Sequence, residues 1–371
     1  MAFSNFRKET SERSDVTNWA KQSLICNTTY YYDGIEGCNE NNNNIVTHLL
    51  ERARVNYDGK DDMSPESVRS EIVSLESIDV LIRKINFAKT FGLNLSYVLY
   101  CDEIQSVWLY EFESVDSLIL VQSYKSYTDF SNWIASIKGW KSTKPFREKD
   151  DLPFFDQSLR RAGCAWPTNI DCFISDRDNQ PVAILEFQNA NTISVQKHCN
   201  NDYFLCKQSY RNKYGYIAYH NDIRRWVSQE ILRVQSGLRL FIITWAVGSE
   251  DFILKEVDKI TFPQLPYSSN WNLHGQYQAD MHAFSTNKTE ENKMKIANNY
   301  QTYNLVFNAP VMSKVTNNSP LDDSTSTFPY IYYKYKQFLS GQSNQLPLYV
   351  TNLISRAQQN LAPGIPVCTD I

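Results

Sequence analysis

The sequence predicts an α/β chain: a mixed β-sheet flanked by helices, with an α+β unit before it and an extension after it. Three observations carry this. Aromatic and β-branched runs of strand length, such as LSYVLYCD, SVWLYEFES, PVAILEFQ and LRLFIITWAV, alternate with stretches of helical period. The order over residues 151–247 is helix, strand, strand, helix, helix, strand, the pattern of a mixed sheet covered by helices. A chain of 371 residues with 42% hydrophobic and 21% charged residues has the composition of a globular protein of about two domains.

The elements follow in order. Residues 1–140 read as an N-terminal α+β domain for recognition or regulation. It opens with two short helices expected at 15–24 and 44–54, on either side of the Asn-rich NENNNN. Ser64 is placed to cap a helix with Pro65 in its first turn, and Val68, Ile72, Leu75, Ile78, Leu81 and Ile85 recur at helical spacing. LSYVLYCD and SVWLYEFES then read as a hairpin, SLILVQSY as a third strand and YTDFSNWIASIKGW as an amphipathic helix.

A basic linker follows, with Lys138, Lys141, Lys144, Arg147 and Lys149. The catalytic core is expected over 148–262. It begins with the helix DLPFFDQSLRRAG, continues through a hairpin, a helix over SVQKHCNNDYFLCKQSYRN and a helix over DIRRWVSQEILRVQSG that stops at a Gly, and then reaches the strand LRLFIITWAV. Residues 263–371 form a C-terminal extension, partly helical, with a Tyr-rich run and a final helix around 347–361.

Composition excludes several functions. The net charge of −4 gives no global basic field, so a polyanion must be held by a local cluster or through cations. Only 12 glycines and no Walker loop argue against a phosphate-cradling turn. There is no GxSxG elbow, no HExxH, and no histidine beside an evident nucleophile. The eight cysteines lack a CxxC pair, as expected of reduced thiols, and His198-Cys199…Cys206 lacks the paired spacing of a structural zinc site. With no secretory start and no apolar run of membrane-spanning length, the expected location is the cytoplasm, away from any membrane.

The stretch DCFISDRDNQPVAILEFQN carries the chemistry. Side chains alternate along a strand, so Val182, Ile184, Glu186 and Gln188 share one face, apolar at first and polar at its end. Asp171 lies 15 residues upstream, where the opposing strand of the hairpin would bring it alongside. A buried carboxylate is expensive unless paired or bound to a metal.

WPTNIDCFI…PVAILEFQ resembles the PD-(D/E)XK nuclease superfamily, over about 100 of the 371 residues. Pro167 and Asp171 match the first half of the motif, Glu186 matches the second carboxylate, and Gln188 stands where the family has lysine. The resemblance implies a restriction-endonuclease-like core and Mg²⁺-dependent hydrolysis of DNA, with Mn²⁺ as a substitute. It implies Asp171, Glu186 and the carbonyl of Phe187 as metal ligands, and Gln188 as the residue that orients water. Charge missing at Gln188 would come from Lys197, Lys207 or a second metal, with Asp156 as an accessory acid.

Lys141, Lys144, Arg147, Arg160, Arg161, Arg211, Arg224 and Arg225 are the candidates for contact with the DNA backbone. Each has a plainer reading: Asp171 as a turn residue, Glu186 as an ion-pair partner, Gln188 as a strand-end hydrogen bonder, Asp156 and Arg160 as a surface helix pair. Double-stranded DNA is the expected substrate, and cutting both strands with one centre per chain requires a homodimer or two successive events. The family points to prokaryotic restriction or antiphage defence. Two readings compete: a nuclease-fold protein that binds nucleic acid without cutting it, and a protein-interaction module built on the Tyr-rich region.

Overall fold

The structure, a computed structural model, describes residues 2–4, 30–41, 43, 45–139, 141, 152–189, 195, 209–211, 217–219, 223–245, 249–261 and 330–360. Its strands are β1 (Ala2–Ser4), β2 (Tyr31–Glu40), β3 (Val46–Asn56), β4 (Asn94–Cys101), β5 (Ser106–Ser114), β6 (Ser117–Tyr124), β7 (Thr168–Ser175), β8 (Pro181–Asn189), β9 (Ser209–Arg211), β10 (Ile217–Tyr219), β11 (Arg239–Trp245), β12 (Phe252–Thr261) and β13 (Tyr330–Leu339). Its helices are α1 (Pro65–Glu76), α2 (Ile78–Thr90), α3 (Tyr127–Lys138), α4 (Phe154–Arg161), α5 (Ile223–Ser236) and α6 (Leu346–Gln358).

A mixed sheet runs in the order β13-β12-β11-β8-β7-β2-β3-β4-β5-β6, with β1 added beside β3; β9 and β10 pair separately. Two neighbouring pairs are parallel, β3 with β4 and β8 with β11. Each is bridged by helices, as parallel neighbours require. The α1–α2 pair crosses from β3 to β4, and α5 lies on the crossover from β8 to β11.

Helices cover both faces. On one, Val68, Ile72, Leu81 and Ile85 of α1 and α2 join Trp226 and Leu232 of α5 in a core with Phe173, Ile184, Leu240 and Ile242. On the other, α3 and α4 pack Phe130, Ile134, Phe155 and Leu159 on Val98, Tyr100 and Leu109. Further along that second face, α6 packs Leu353 and Ile354 with Leu185, Phe187 and Ile243. Each large apolar side chain buried this way contributes about 1.5–3 kcal/mol, which orders the strands that carry the polar residues discussed below.

Several local readings hold. Ser64 caps α1 by accepting from Ser67 N–H, with Pro65 in the first turn. The hairpin β4–β5, the strand β6 and helix α3 fall where the pattern places them, and α3 ends at Gly139 in the left-handed conformation.

Others differ. The 64–92 stretch is two helices, broken at Ser77, whose φ of 71° no helix accepts. Residues 44–54, expected helical, instead contribute most of β3. Ile45, Val46, Leu49, Leu50 and Ala53 fit a helical stripe equally well. The sheet wins because β3 is covered on both faces and its polar side chains find partners there: Glu51 with Lys84, Arg52 with Asp156 and Arg54 with Asp102. The Tyr-rich run is β13, antiparallel to β12, so part of the expected extension joins the sheet. The expected helices at 15–24 and over most of 194–212 lie outside the described residues, although Ser209–Arg211 of the latter is strand β9. β2 pairs with β7, so the expected N-terminal unit and core share one sheet. Among the described residues, no helix is long and apolar enough to cross a membrane.

Candidate metal centre

The site forms where β7 and β8 part. Their antiparallel register pairs Ile174 with Ala183, Phe173 with Ile184 and Cys172 with Leu185. One further step brings Asp171 opposite Glu186, and there a side chain replaces the ladder. Asp171 Oδ2 accepts from the Phe187 amide at 3.1 Å, and Asp171 Oδ1 accepts from Asn169 Nδ2 at 2.8 Å. On its other side β7 slips register against β2, with Asp33 facing Phe173 and Ile35 facing Ile170. Asp171 and Cys172 together therefore oppose Gly34. Such a bulge bends the strand and re-aims the side chain within it.

Glu186 lies on the face of β8 that Ile184 shares with the α1, α2 and α5 core. It is 0% exposed, and Asp171 is 9% exposed. Helix α5 supplies the cover: Gln229 Nε2 donates to Glu186 Oε2, and the preceding Ser228 Oγ donates to Glu40 Oε2 at 3.0 Å. Lys138 Nζ lies 3.7 Å from the other Glu40 oxygen, so α3 and α5 both reach the end of β2.

Gln188, on the same face of β8, accepts from Thr244 Oγ1 at 3.0 Å. That bond ties it to β11, where Thr244 is its partner in register. Glu186 faces Ile242 of β11, and Ile242 faces Lys255 of β12, so these side chains share one row on one face. Lys255 is 2% exposed, with Nζ 5.4 Å from the centre of the Tyr333 ring. The Phe187 side chain points the other way, into the core under α6, while its carbonyl belongs to the strand end beside Asp171.

The remaining candidates are dispersed. Asp156 lies on the opposite face, where Arg52 Nη1 donates to both of its oxygens at 3.0 and 3.1 Å and the Arg52 guanidinium lies 4.6 Å from the Trp166 ring centre. Arg160 and Arg161 are exposed at the end of the same helix, α4. Lys141 is exposed and donates to Asn132 Oδ1. Arg224 and Arg225 fall on the first turn of α5 and Arg211 on β9. Lys144, Arg147, Lys197, Lys207 and the His198-Cys199…Cys206 group lie outside the described residues.

Gln229 and Lys255 were not singled out from sequence. Their signal is weak but present: Gln229 sits on the apolar stripe of α5 between Trp226 and Leu232, and Lys255 interrupts the apolar strand FILKEV. Four described cysteines, Cys38, Cys101, Cys164 and Cys172, are buried and form no disulfide. Burial pushes the Cys38 thiol up, which suits an inert core thiol and not a nucleophile.

Among the described residues, no group of three or more His, Cys, Asp or Glu is placed to hold a metal ion. The donors at the strand end are two carboxylates, a main-chain carbonyl and an amide side chain. All are hard oxygen groups, the kind that Mg²⁺ takes while keeping much of its water. Oxygen groups of this kind suit a hard divalent cation. Compared with protein-family models, curated proteins and solved structures, the chain matches none of them.

Proposed function

We propose that the chain is a divalent-cation-dependent DNA endonuclease that hydrolyses phosphodiester bonds, with Mg²⁺ or Mn²⁺ held by Asp171, Glu186 and the Phe187 carbonyl. One observation carries the reading. Asp171 bonds to the amide of the residue after Glu186, so acids 15 residues apart in sequence meet at one strand end. The chemistry a cation supplies at such a centre is neutralisation of phosphate charge and activation of water.

The chain's own residues do the rest. The Phe187 amide and Asn169 hold the Asp171 carboxylate in place from two sides. Gln229 fixes Glu186 from above. Gln188, steadied by Thr244, presents its amide to orient water without adding charge. Lys255 stands in the same row as Glu186 and supplies the positive charge absent at Gln188. Double-stranded DNA is the proposed substrate and a homodimer the proposed form for cutting both strands, in a setting of prokaryotic restriction or antiphage defence.

A second reading, a nuclease-fold protein that binds nucleic acid without cutting it, is favoured by the complete burial of Glu186 and the engagement of Gln188 by Thr244. The two separate when plasmid is incubated with Mg²⁺ or Mn²⁺, with and without chelator, beside the Asp171→Ala, Glu186→Ala double variant. Cation-dependent cutting that the double variant loses supports the endonuclease. Tight duplex binding without cutting supports the second reading.

A further inference from the structure

Helix α5 places one amide in a position that packing alone does not explain. Gln229 is 3% exposed, on a helix face that otherwise buries Trp226 and Leu232. Its Nε2 donates to Glu186 Oε2. A carboxylate offers only acceptors, so this bond fixes which end of the amide faces Glu186 and turns Oε1 aside. Gln229 Oε1 is buried and accepts no hydrogen bond among the described residues.

Buried acceptors are nearly always satisfied, and an exception calls for a donor such as an ordered water. A leucine or methionine would fill the same helix position but take the Nε2 donor away from Glu186. Covalent geometry keeps Oε1 beside the carboxylate that its own Nε2 binds. The missing donor therefore belongs at the edge of the Asp171–Glu186 centre. A small hard cation retains several waters there, each polarised into a strong donor.

We infer that Gln229 is a positioning residue of this centre, with Nε2 holding Glu186 and Oε1 accepting from a water of the cation's hydration shell. The inference rests on the cation-binding reading of Asp171 and Glu186 and extends it to a residue on a different element.

The test uses the full chain and Mn²⁺ alone, read by isothermal titration calorimetry, with melting followed by circular dichroism. Gln229→Met keeps the length and apolar packing of the side chain but removes donor and acceptor. The expected result is a folded variant whose metal-free melting temperature is lowered by loss of the bond to Glu186, together with Mn²⁺ affinity weakened about ten- to hundred-fold. Gln229→Asn, which draws the amide back by one carbon, is expected to lose affinity in the same range and serves if the methionine variant does not fold. Wild-type affinity in either folded variant overturns the inference and leaves the endonuclease reading standing. Wild-type protein that shows no Mn²⁺ binding sensitive to Asp171→Ala overturns both.

Discussion

The Phe187 amide donates to Asp171 Oδ2 across 3.1 Å, so a carboxylate stands where a backbone carbonyl would continue the β7–β8 ladder. Glu186, the residue before that amide, is thereby held beside the same acid. A divalent cation held between the two acids would offset the repulsion of like charges.

A cation that binds the folded protein alone must stabilise it. At a Mn²⁺ concentration about a hundred times its Kd, the gain is about 2.7 kcal/mol. Thermal melts with and without Mn²⁺ should show this rise for wild type and not for Glu186→Gln. Equal rises in both proteins would place the cation elsewhere.

Asp156 should matter to stability and not to chemistry. It receives two hydrogen bonds from Arg52, on the face of the sheet away from Glu186. Asp156→Ala removes the carboxylate that Arg52 Nη1 binds through both oxygens, leaves Glu36 3.7 Å from its Nε, and should cost about 2 kcal/mol in urea unfolding. Mn²⁺ affinity and DNA cleavage by the folded fraction should be unchanged. A specific loss of cleavage at full folding would restore the accessory role read from the sequence.

Lys255 should affect cleavage and cation affinity in opposite directions. Cross-strand spacing puts its Cα about 10 Å from that of Glu186, within the joint reach of the two side chains. An ammonium there repels a bound cation but offsets charge on the attacked phosphate. Lys255→Met should lower cleavage about a hundred-fold while Mn²⁺ binds as tightly as in wild type or more tightly. Plasmid nicking rates at saturating Mn²⁺, set beside calorimetry, decide this.

A buried group elsewhere contributes to the pH response of the fold. Burial pushes the Glu51 carboxyl up to about 8, against the opposing pull of Lys84 Nζ at 2.8 Å. The folded protein thus keeps a proton on Glu51 where the unfolded chain has released it. That contribution is complete below the ordinary carboxylate value of 4.5 and is lost as pH rises through about 8. Stability should fall from pH 5 to pH 8, and Glu51→Gln should flatten the slope. Glu76 Oε2, 2.5 Å from Lys84 Nζ, keeps the lysine paired throughout. Urea unfolding at three pH values measures the difference.

The sequence made some of this plain and hid the rest for physical reasons. Aromatic and β-branched runs bounded by turn residues placed β4, β5 and β6, even though β4 is buried on both faces. β3 was missed because cover on both faces erases the period of two, and Leu49, Leu50 and Ala53 then imitate a helix. The break at Ser77 carries no proline or glycine to announce it. Asp171, Glu186 and Gln188 were legible because they belong to one hairpin, whose register follows from local pairing. Gln229 and Lys255 reach the same face from α5 and β12, and no spacing along the chain encodes a contact made by a crossover. Asp156 was read as part of the site because α4 precedes the hairpin, but Arg52 on β3 draws it to the opposite layer.

The most direct measurement is the anomalous difference map of a Mn²⁺-soaked crystal of the full chain. The expected result is one peak at the end of β7 and β8, about 2.0–2.6 Å from an oxygen of Asp171 and an oxygen of Glu186. Ordered carboxylates with no peak between them at saturating Mn²⁺, or a peak bound by other residues alone, would contradict the account.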